Sequence, residues 1–238
     1  MSSILFEALR KEALEANLEL VRHRLVLHTF GNASGISRPD GVVVIKPSGV
    51  PYEKLRPEDM VLTDLEGRVL EGSLRPSSDL ATHLILYNAF PTIGGVAHAH
   101  SEFATAWAQA RRPIPCFGTT HADYFHGPVP VTDPLEPHEI DTGYERNTGL
   151  VICRAFKDRD PDAVPAVLVA GHAPFCWGPT PSDAAHTAVI LEAVARMAYY
   201  TLNLAPEAVP IAPHLHDKHY LRKHGAAAYY GQVKRGAP

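Results

Sequence analysis

Cysteine is scarce in this chain: three residues in 238, at positions 116, 153 and 176. An odd, widely spaced set of thiols excludes a disulfide framework and suits a reducing compartment. No stretch approaches the roughly 20 apolar residues of a membrane-spanning helix. The opening MSSILFEALRKEALEANLEL is interrupted by Glu7, Arg10, Lys11 and Glu12, so it does not read as a signal peptide. Basic charge is not in excess either. A net charge of −4 argues against a nucleic-acid binder led by bulk electrostatics. No internal repeat or low-complexity tract is visible. These absences leave a cytoplasmic protein with neither nucleic acid nor membrane as a partner. What is present is an ordinary globular balance, 45% hydrophobic and 20% charged, enough to bury a core. Histidine, at 14 residues, is plentiful.

Leu5, Leu9, Leu14, Leu18, Val21 and Leu25 recur among charges and predict an amphipathic helix over about 4–26. GVVVIKPSG predicts a strand and turn, and DMVLTDLEGRVLEG a hairpin. A helix is expected to begin near Ser78 in PSSDLATHLILYNAF, where serine caps an apolar periodic run. IGGVAHAH reads as a strand and SEFATAWAQA as a helix starting at Ser101 and Glu102. Short strands are expected at IPCFGT and VPVT, a helix over about 138–155, and a buried strand in AVLVAGHAPFCW. SDAAHTAVILEAVARMAYYTLNL predicts a long capped helix, and HDKHYLRKHGAAAYYG a short final one. Helices interspersed with strands and hairpins suggest a single layered domain over 1–238, a mainly antiparallel sheet with helices packed on it.

Alternate side chains of a strand share a face, so His98 and His100 are expected to point the same way. His172 follows the buried strand, where the small Gly171 and Ala173 leave room beside it, and Asp79 lies in the first turn of its helix. Three imidazoles and a carboxylate suit Zn2+, with Mn2+ or another divalent ion as alternatives. A chain with 14 histidines in 238 residues yields about one His-x-His pair by chance. On spacing alone, hydrogen-bonded core histidines remain the other reading. The competing cluster HLHDKH at 214–219 ranks below the first, because residues i and i+2 of a helix do not face each other.

GNASG (31–35), KPSG (46–49) and PSSD (76–79) combine small residues with hydroxyls or an amide at expected turns, where backbone N–H groups are available to an anion. Ser77 and Ser78 lie at a helix N-terminus, which attracts phosphate, and Lys46 brings a formal charge. Each segment alone reads equally as an everyday turn. Together they favour a phosphorylated small-molecule substrate.

The segments GNASGI, KPSGV, PSSDLATH, GGVAHAHS, GTTHADYF, GHAPFCWG and DKHYLRKHGAAAYYGQ, spread over about residues 10–232, resemble the L-ribulose-5-phosphate 4-epimerases of the class II aldolase/epimerase superfamily. The resemblance implies a three-layer α/β/α fold with a central, mainly antiparallel sheet. It also implies a fourfold homotetramer with active sites at subunit interfaces. The implied reaction interconverts L-ribulose 5-phosphate and D-xylulose 5-phosphate, in bacterial catabolism of arabinose, another pentose or ascorbate. By the same resemblance His98, His100 and His172 hold zinc, with Asp79 adjoining. Gly31, Asn32, Lys46, Ser48, Gly49, Ser77 and Ser78 match its phosphate and substrate loops. Asp123 and Tyr230 match an acid/base pair contributed across a subunit boundary from one another, and His219 an accessory histidine. One departure is AGHAPF, where the family has HSHGPF: His172 is kept and the histidine beside it is absent.

The implied chemistry follows from the substrate. C4 of a ketopentose carries no acidic proton, so inversion goes through retro-aldol cleavage of C3–C4, rotation of the glycolaldehyde phosphate, and re-formation of the bond. A phosphate grip keeps the fragment from escaping, and acid/base groups are needed on both faces. The rival readings are a class II aldolase acting on fuculose or rhamnulose phosphate, expected to carry Glu at the position of Asp79, and a non-catalytic scaffold like the adducin head domains.

Overall fold

Helix α1 (Glu7–Arg22) leads into β1 (Asn32–Ser37), β2 (Val42–Ile45), β3 (Val61–Asp64) and β4 (Val69–Glu71). Then come α2 (Leu80–Ala89), β5 (Gly95–His98), α3 (Glu102–Gln109), α4 (Thr119–Ala122), α5 (Pro137–Asp141) and α6 (Tyr144–Ala155). The chain closes with β6 (Ala166–Leu168), β7 (Pro174–Gly178), α7 (Pro181–Leu204) and α8 (Pro213–His224). These assignments belong to a computed structural model that describes residues 6–229. The strands form one seven-stranded sheet in the order β4-β3-β2-β1-β5-β7-β6. Every pairing in it is antiparallel.

Directly paired residues share a face of a sheet. The registers Asn32↔His98↔Phe175 and Ser34↔Val96↔Trp177 therefore put six residues on one side. Helix α2 covers that side: Ser34 Oγ lies 2.7 Å from His83 Nδ1 and 2.8 Å from the Tyr87 hydroxyl. Trp177 packs there against Phe90 and Phe156 of the α2 and α6 ends. The other side is made of Ala33, Gly35, Gly95, Ala97, Cys176 and Gly178, and small side chains let helices come close. Asn17 of α1 docks on it, donating to the Ala33 carbonyl at 2.9 Å and accepting from its N–H at 2.8 Å. Pro181 of α7 occupies the space a Cβ would need at Gly35 and Gly95. Helices cover both faces, which gives the expected α/β/α layering. The fully buried Trp177, Phe175, Leu86 and Val96 belong to this core, each contributing about 1.5–3 kcal/mol of apolar burial or more for the larger rings.

Several local expectations change. GNASGI is not a turn: Asn32–Ser37 forms a central strand, because its small residues are what the close helix approach demands. IPCFGT and VPVT form only isolated bridges, Ile114↔Val129 and Val131↔Leu168, since the neighbouring prolines remove ladder donors. The helix expected over 138–155 breaks at Gly143, whose φ of 145° suits only glycine, and restarts at Tyr144. AVLVAGHAPFCW is a hairpin, not one strand, with His172 in the turn between β6 and β7. Helix α1 runs over Glu7–Arg22, shorter than expected. Ser78 does not cap α2; Asp79 takes the N-cap position and makes no side-chain cap bond. Ser101 makes no side-chain cap bond to α3 either. Instead Glu192 of α7 reaches across, its two carboxylate oxygens accepting from the Phe103 and Ala104 N–H groups at 2.8 and 2.9 Å.

Two outcomes follow from this packing. A methyl at Gly95 would run into the Thr180 carbonyl and the Pro181 backbone, so Gly95→Ala is expected to lower the urea-unfolding free energy by about 1–3 kcal/mol or more. An unchanged midpoint would contradict the close approach of β5 and α7. Burial also pushes the His121 imidazole down to about 4. Below the ordinary value of 6.5 the unfolded chain takes up a proton that the native ring refuses. Stability from this group is thus complete above pH 6.5 and drains away as the pH falls toward 4, at about 1.4 kcal/mol per pH unit. In urea titrations at pH 7, 6 and 5, His121→Gln should flatten that loss.

Candidate metal and substrate site

The antiparallel pairing of β1, β5 and β7 brings Asn32, His98 and Phe175 side by side at one end of the sheet. His98 is the last residue of β5, His100 lies just beyond it, and His172 approaches from the β6–β7 turn. The three ring centroids are 4.9–5.0 Å apart. One donor nitrogen of each lies within 4.8 Å of the others. The Pro174 carbonyl accepts from His98 Nδ1 at 2.9 Å, which leaves the Nε2 lone pair free on the side of Asp79, whose Oδ2 is 4.0 Å away. Phe175 stacks on the His98 ring at 4.2 Å and holds its plane. Burial, then the neighbouring imidazoles, pushes His172 down to about 4, and burial also lowers His100. At neutral pH both rings are uncharged, the form that ligates metals.

Asp79 lies at the start of α2, yet its carboxylate turns away from the helix. Oδ2 accepts from Asn32 Nδ2 at 2.6 Å. Burial raises the carboxyl pKa, but the charges of His98 and His83 and the Asn32 bond outweigh it and hold the group below the usual carboxylate range. Asn32 is itself buried, and its Oδ1 has no hydrogen-bond partner among the described residues. A buried acceptor left unsatisfied costs about 1–3 kcal/mol, so this atom is suited to a ligand hydroxyl. The three imidazoles form a donor set that fits a first-row divalent cation, while Asp79, expected as a fourth ligand, stands beside His98 and is not among the groups whose donor atoms cluster.

The KPSG and PSSD segments meet. Pro47 bridges Pro76, the Ser77 N–H donates to the Lys46 carbonyl and the Ser48 N–H to that of Arg75, each at 2.9 Å. Gly31, Ser48, Gly49, Ser77 and Ser78 line the same cavity of about 390 Å³ as Asn32, Lys46, Asp79 and the three histidines. Lys46 is 2% exposed, and burial brings its ammonium down to about 8. It donates to the Pro47 carbonyl at 3.2 Å and rests over the Tyr52 ring. A buried cation without a carboxylate partner among the described residues is an anion-seeking group.

Sequence reasoning missed part of the wall: Thr29, Phe30, Tyr144 and Glu145. The Tyr144 hydroxyl lies 3.3 Å from His172 Nδ1. The glycine inside TGYER was the available signal, since a helix broken there starts again with Tyr144 at the cavity.

Asp123 and His219 do not line this cavity within one chain. They meet elsewhere: His219 Nδ1 is 3.0 Å from Asp123 Oδ1, and Arg222 forks onto both carboxylate oxygens at 2.9 and 3.0 Å. Burial raises the Asp123 carboxyl, but hydrogen bonds from Arg222 and His219 and the charge of Lys223 prevail and hold it ionised. Tyr230 lies outside the described residues.

Residues 11–199 match the family of class II aldolases and adducin N-terminal domains. The chain is 50% identical to L-ribulose-5-phosphate 4-epimerase UlaF of Salmonella paratyphi B, over 95% of this chain and 99% of that one. The Salmonella typhi protein of the same name matches with the same identity and coverage. Among solved structures, an L-fuculose 1-phosphate aldolase superposes with a TM-score of 0.78 at 25% identity, covering 89% of this chain and 94% of its own. The Thermus thermophilus L-fuculose-1-phosphate aldolase has a TM-score of 0.67 at 23% identity, covering 84% and 98%, and shows the shared fold alone. This chain belongs to the class II aldolase and adducin family.

Proposed function

We propose that this protein is a metal-dependent 4-epimerase that interconverts L-ribulose 5-phosphate and D-xylulose 5-phosphate by retro-aldol cleavage and aldol re-addition. One observation carries the reading: a three-imidazole donor set and a buried, anion-seeking lysine share the walls of one cavity. The half-identity to proteins named as such epimerases supports it over 95% of the chain.

His98, His100 and His172, with Asp79 adjoining, would hold Zn2+, Mn2+ or another divalent ion. When bound, such an ion supplies Lewis acidity toward the substrate's carbonyl end. The chain's own groups do the rest. Lys46, the Ser48 hydroxyl and the Ser77 and Ser78 hydroxyls grip the phosphate, so the glycolaldehyde phosphate fragment turns without leaving. Gly31 and Gly49 admit it without a side chain in the way. Asn32 orients Asp79 through its amide and offers its unpaired Oδ1 to a substrate hydroxyl.

Proton transfer at the C4 oxygen is assigned to Asp123 and Tyr230, one for each face. The carboxylate of Asp123, kept ionised by Arg222, is ready to accept a proton, and His219 holds its orientation. Because Asp123 does not line the cavity of its own chain, a neighbouring subunit would complete the site. The homotetramer implied by the family resemblance supplies such neighbours, and the cytoplasm is the setting proposed for it. No helix among the described residues is long and apolar enough to cross a membrane.

A coupled assay on L-ribulose 5-phosphate tests the reading, and D-xylulose 5-phosphate is the expected product. Dihydroxyacetone phosphate from fuculose 1-phosphate, with no epimerisation, would assign the aldolase instead. His98→Asn is expected to abolish turnover and to remove one metal ion per chain by atomic emission; a full complement in that variant would contradict the ligand role. Lys46→Met should keep its metal and raise KM by about 10- to 100-fold, the range of a lost charge-assisted bond.

A further inference from the structure

The cluster HLHDKH supplies two members of a second constellation, which its helix cannot form by itself. Helix α8 brings His216 and Asp217 against His126, which lies in the loop following α4. His126 Nε2 is 2.9 Å from Asp217 Oδ1. The rings of His126 and His216 are 4.9 Å apart, within 14° of parallel. That separation equals the spacing within the three-histidine centre. One donor atom from each of the three residues lies within 4.8 Å of the others.

The backbone holds this arrangement on both sides. The His126 N–H donates to the Ala163 carbonyl at 2.8 Å. The Gly127 N–H donates to His216 Nε2 at 3.2 Å, and the Phe125 carbonyl lies 3.0 Å from the same nitrogen. That nitrogen cannot donate and accept at once. The tautomer that accepts from Gly127 carries its proton on Nδ1; the one that donates to Phe125 instead frees the Nδ1 lone pair, and a ring N–H anchored on a carbonyl is the state an ion at Nδ1 would select. The Tyr220 ring packs against His126 at 4.6 Å, tilted by 33°.

We infer that His126, His216 and Asp217 form a second site for a divalent transition-metal ion, separate from the His98 centre, that fastens α8 to the α4 loop. Two imidazoles and one carboxylate leave positions open to water, a donor set suited to Zn2+ or Co2+. The location gives the ion a consequence. Helix α8 buries none of its residues and carries His219 and Arg222, the partners of Asp123. An ion across this joint would stabilise their placement. The inference stands whether or not the epimerase reading is right.

The test counts Zn2+ by atomic emission after equilibrium dialysis of the intact protein at pH 7.5 in a non-chelating buffer. The wild type is expected to bind about two ions per chain, and His126→Asn/His216→Asn about one. His98→Asn should lose the other ion and keep this one. Asp217→Asn, which preserves both rings, should weaken the second ion at least about tenfold, so the conclusion does not depend on the double variant folding. Added Zn2+ beyond the first equivalent should raise the Tm of the wild type and leave that of the double variant unmoved. A single ion in the wild type, or two retained in His126→Asn/His216→Asn, would overturn the inference.

Discussion

A row of three residues across one sheet face organises this molecule. The antiparallel register that sets Asn32 beside His98, and His98 beside Phe175, fixes the amide, the imidazole and its aromatic backing without any loop having to find them. Each remaining member of the site is placed relative to that row. Asp79 is bonded to Asn32, His172 comes from the turn preceding Phe175, and His100 follows His98 by two residues. Rigid strands hold ligands to a tolerance that loops do not, which is why first contacts are best placed there. The reverse face of the same strands is nearly bare of side chains, so α1 and α7 brace the row from behind at close range.

The electrostatics follow from the same placement. Burial lowers the His172 and His100 rings, and the histidines facing Asp79 together with the Asn32 amide hold its carboxyl below the usual carboxylate range. Lys46 is the counterweight, a buried cation that meets a carbonyl and an aromatic face but no carboxylate among the described residues. Such a cavity sets an anion-seeking group against one wall and a cluster of imidazole nitrogens against another.

Much of this was legible in the residues. The KPSG and PSSD segments, the alternation of His98 with His100 and the long capped helix α7 carry local signals that tertiary packing left intact. The architecture and the ligand set came from motif resemblance more than from periodicity, since spacing alone left core histidines as an equal reading. Where local reasoning failed, longer-range packing had won. Asn32–Ser37 reads as a turn because glycine and serine are turn formers, yet those residues are small because α1 and α7 lie against them. Asp79 reads as part of a capped first turn, but its carboxylate is claimed by Asn32 47 positions earlier. Tyr144 and Glu145 were hidden inside a helical pattern that Gly143 interrupts. The meeting of His126 with α8 joins positions 90 residues apart and has no local signature.

Glu192 ties α7 to the start of α3. Its carboxylate seats the first turn of α3, and the chain immediately before that turn carries His100. Helix α7 is 24 residues long and lies on the far side of the strands. The position of α7 therefore bears on the segment that carries His100. The helix behind the sheet thus helps to set where His100 stands, so the alignment of the three imidazoles is a property of the whole three-layer stack.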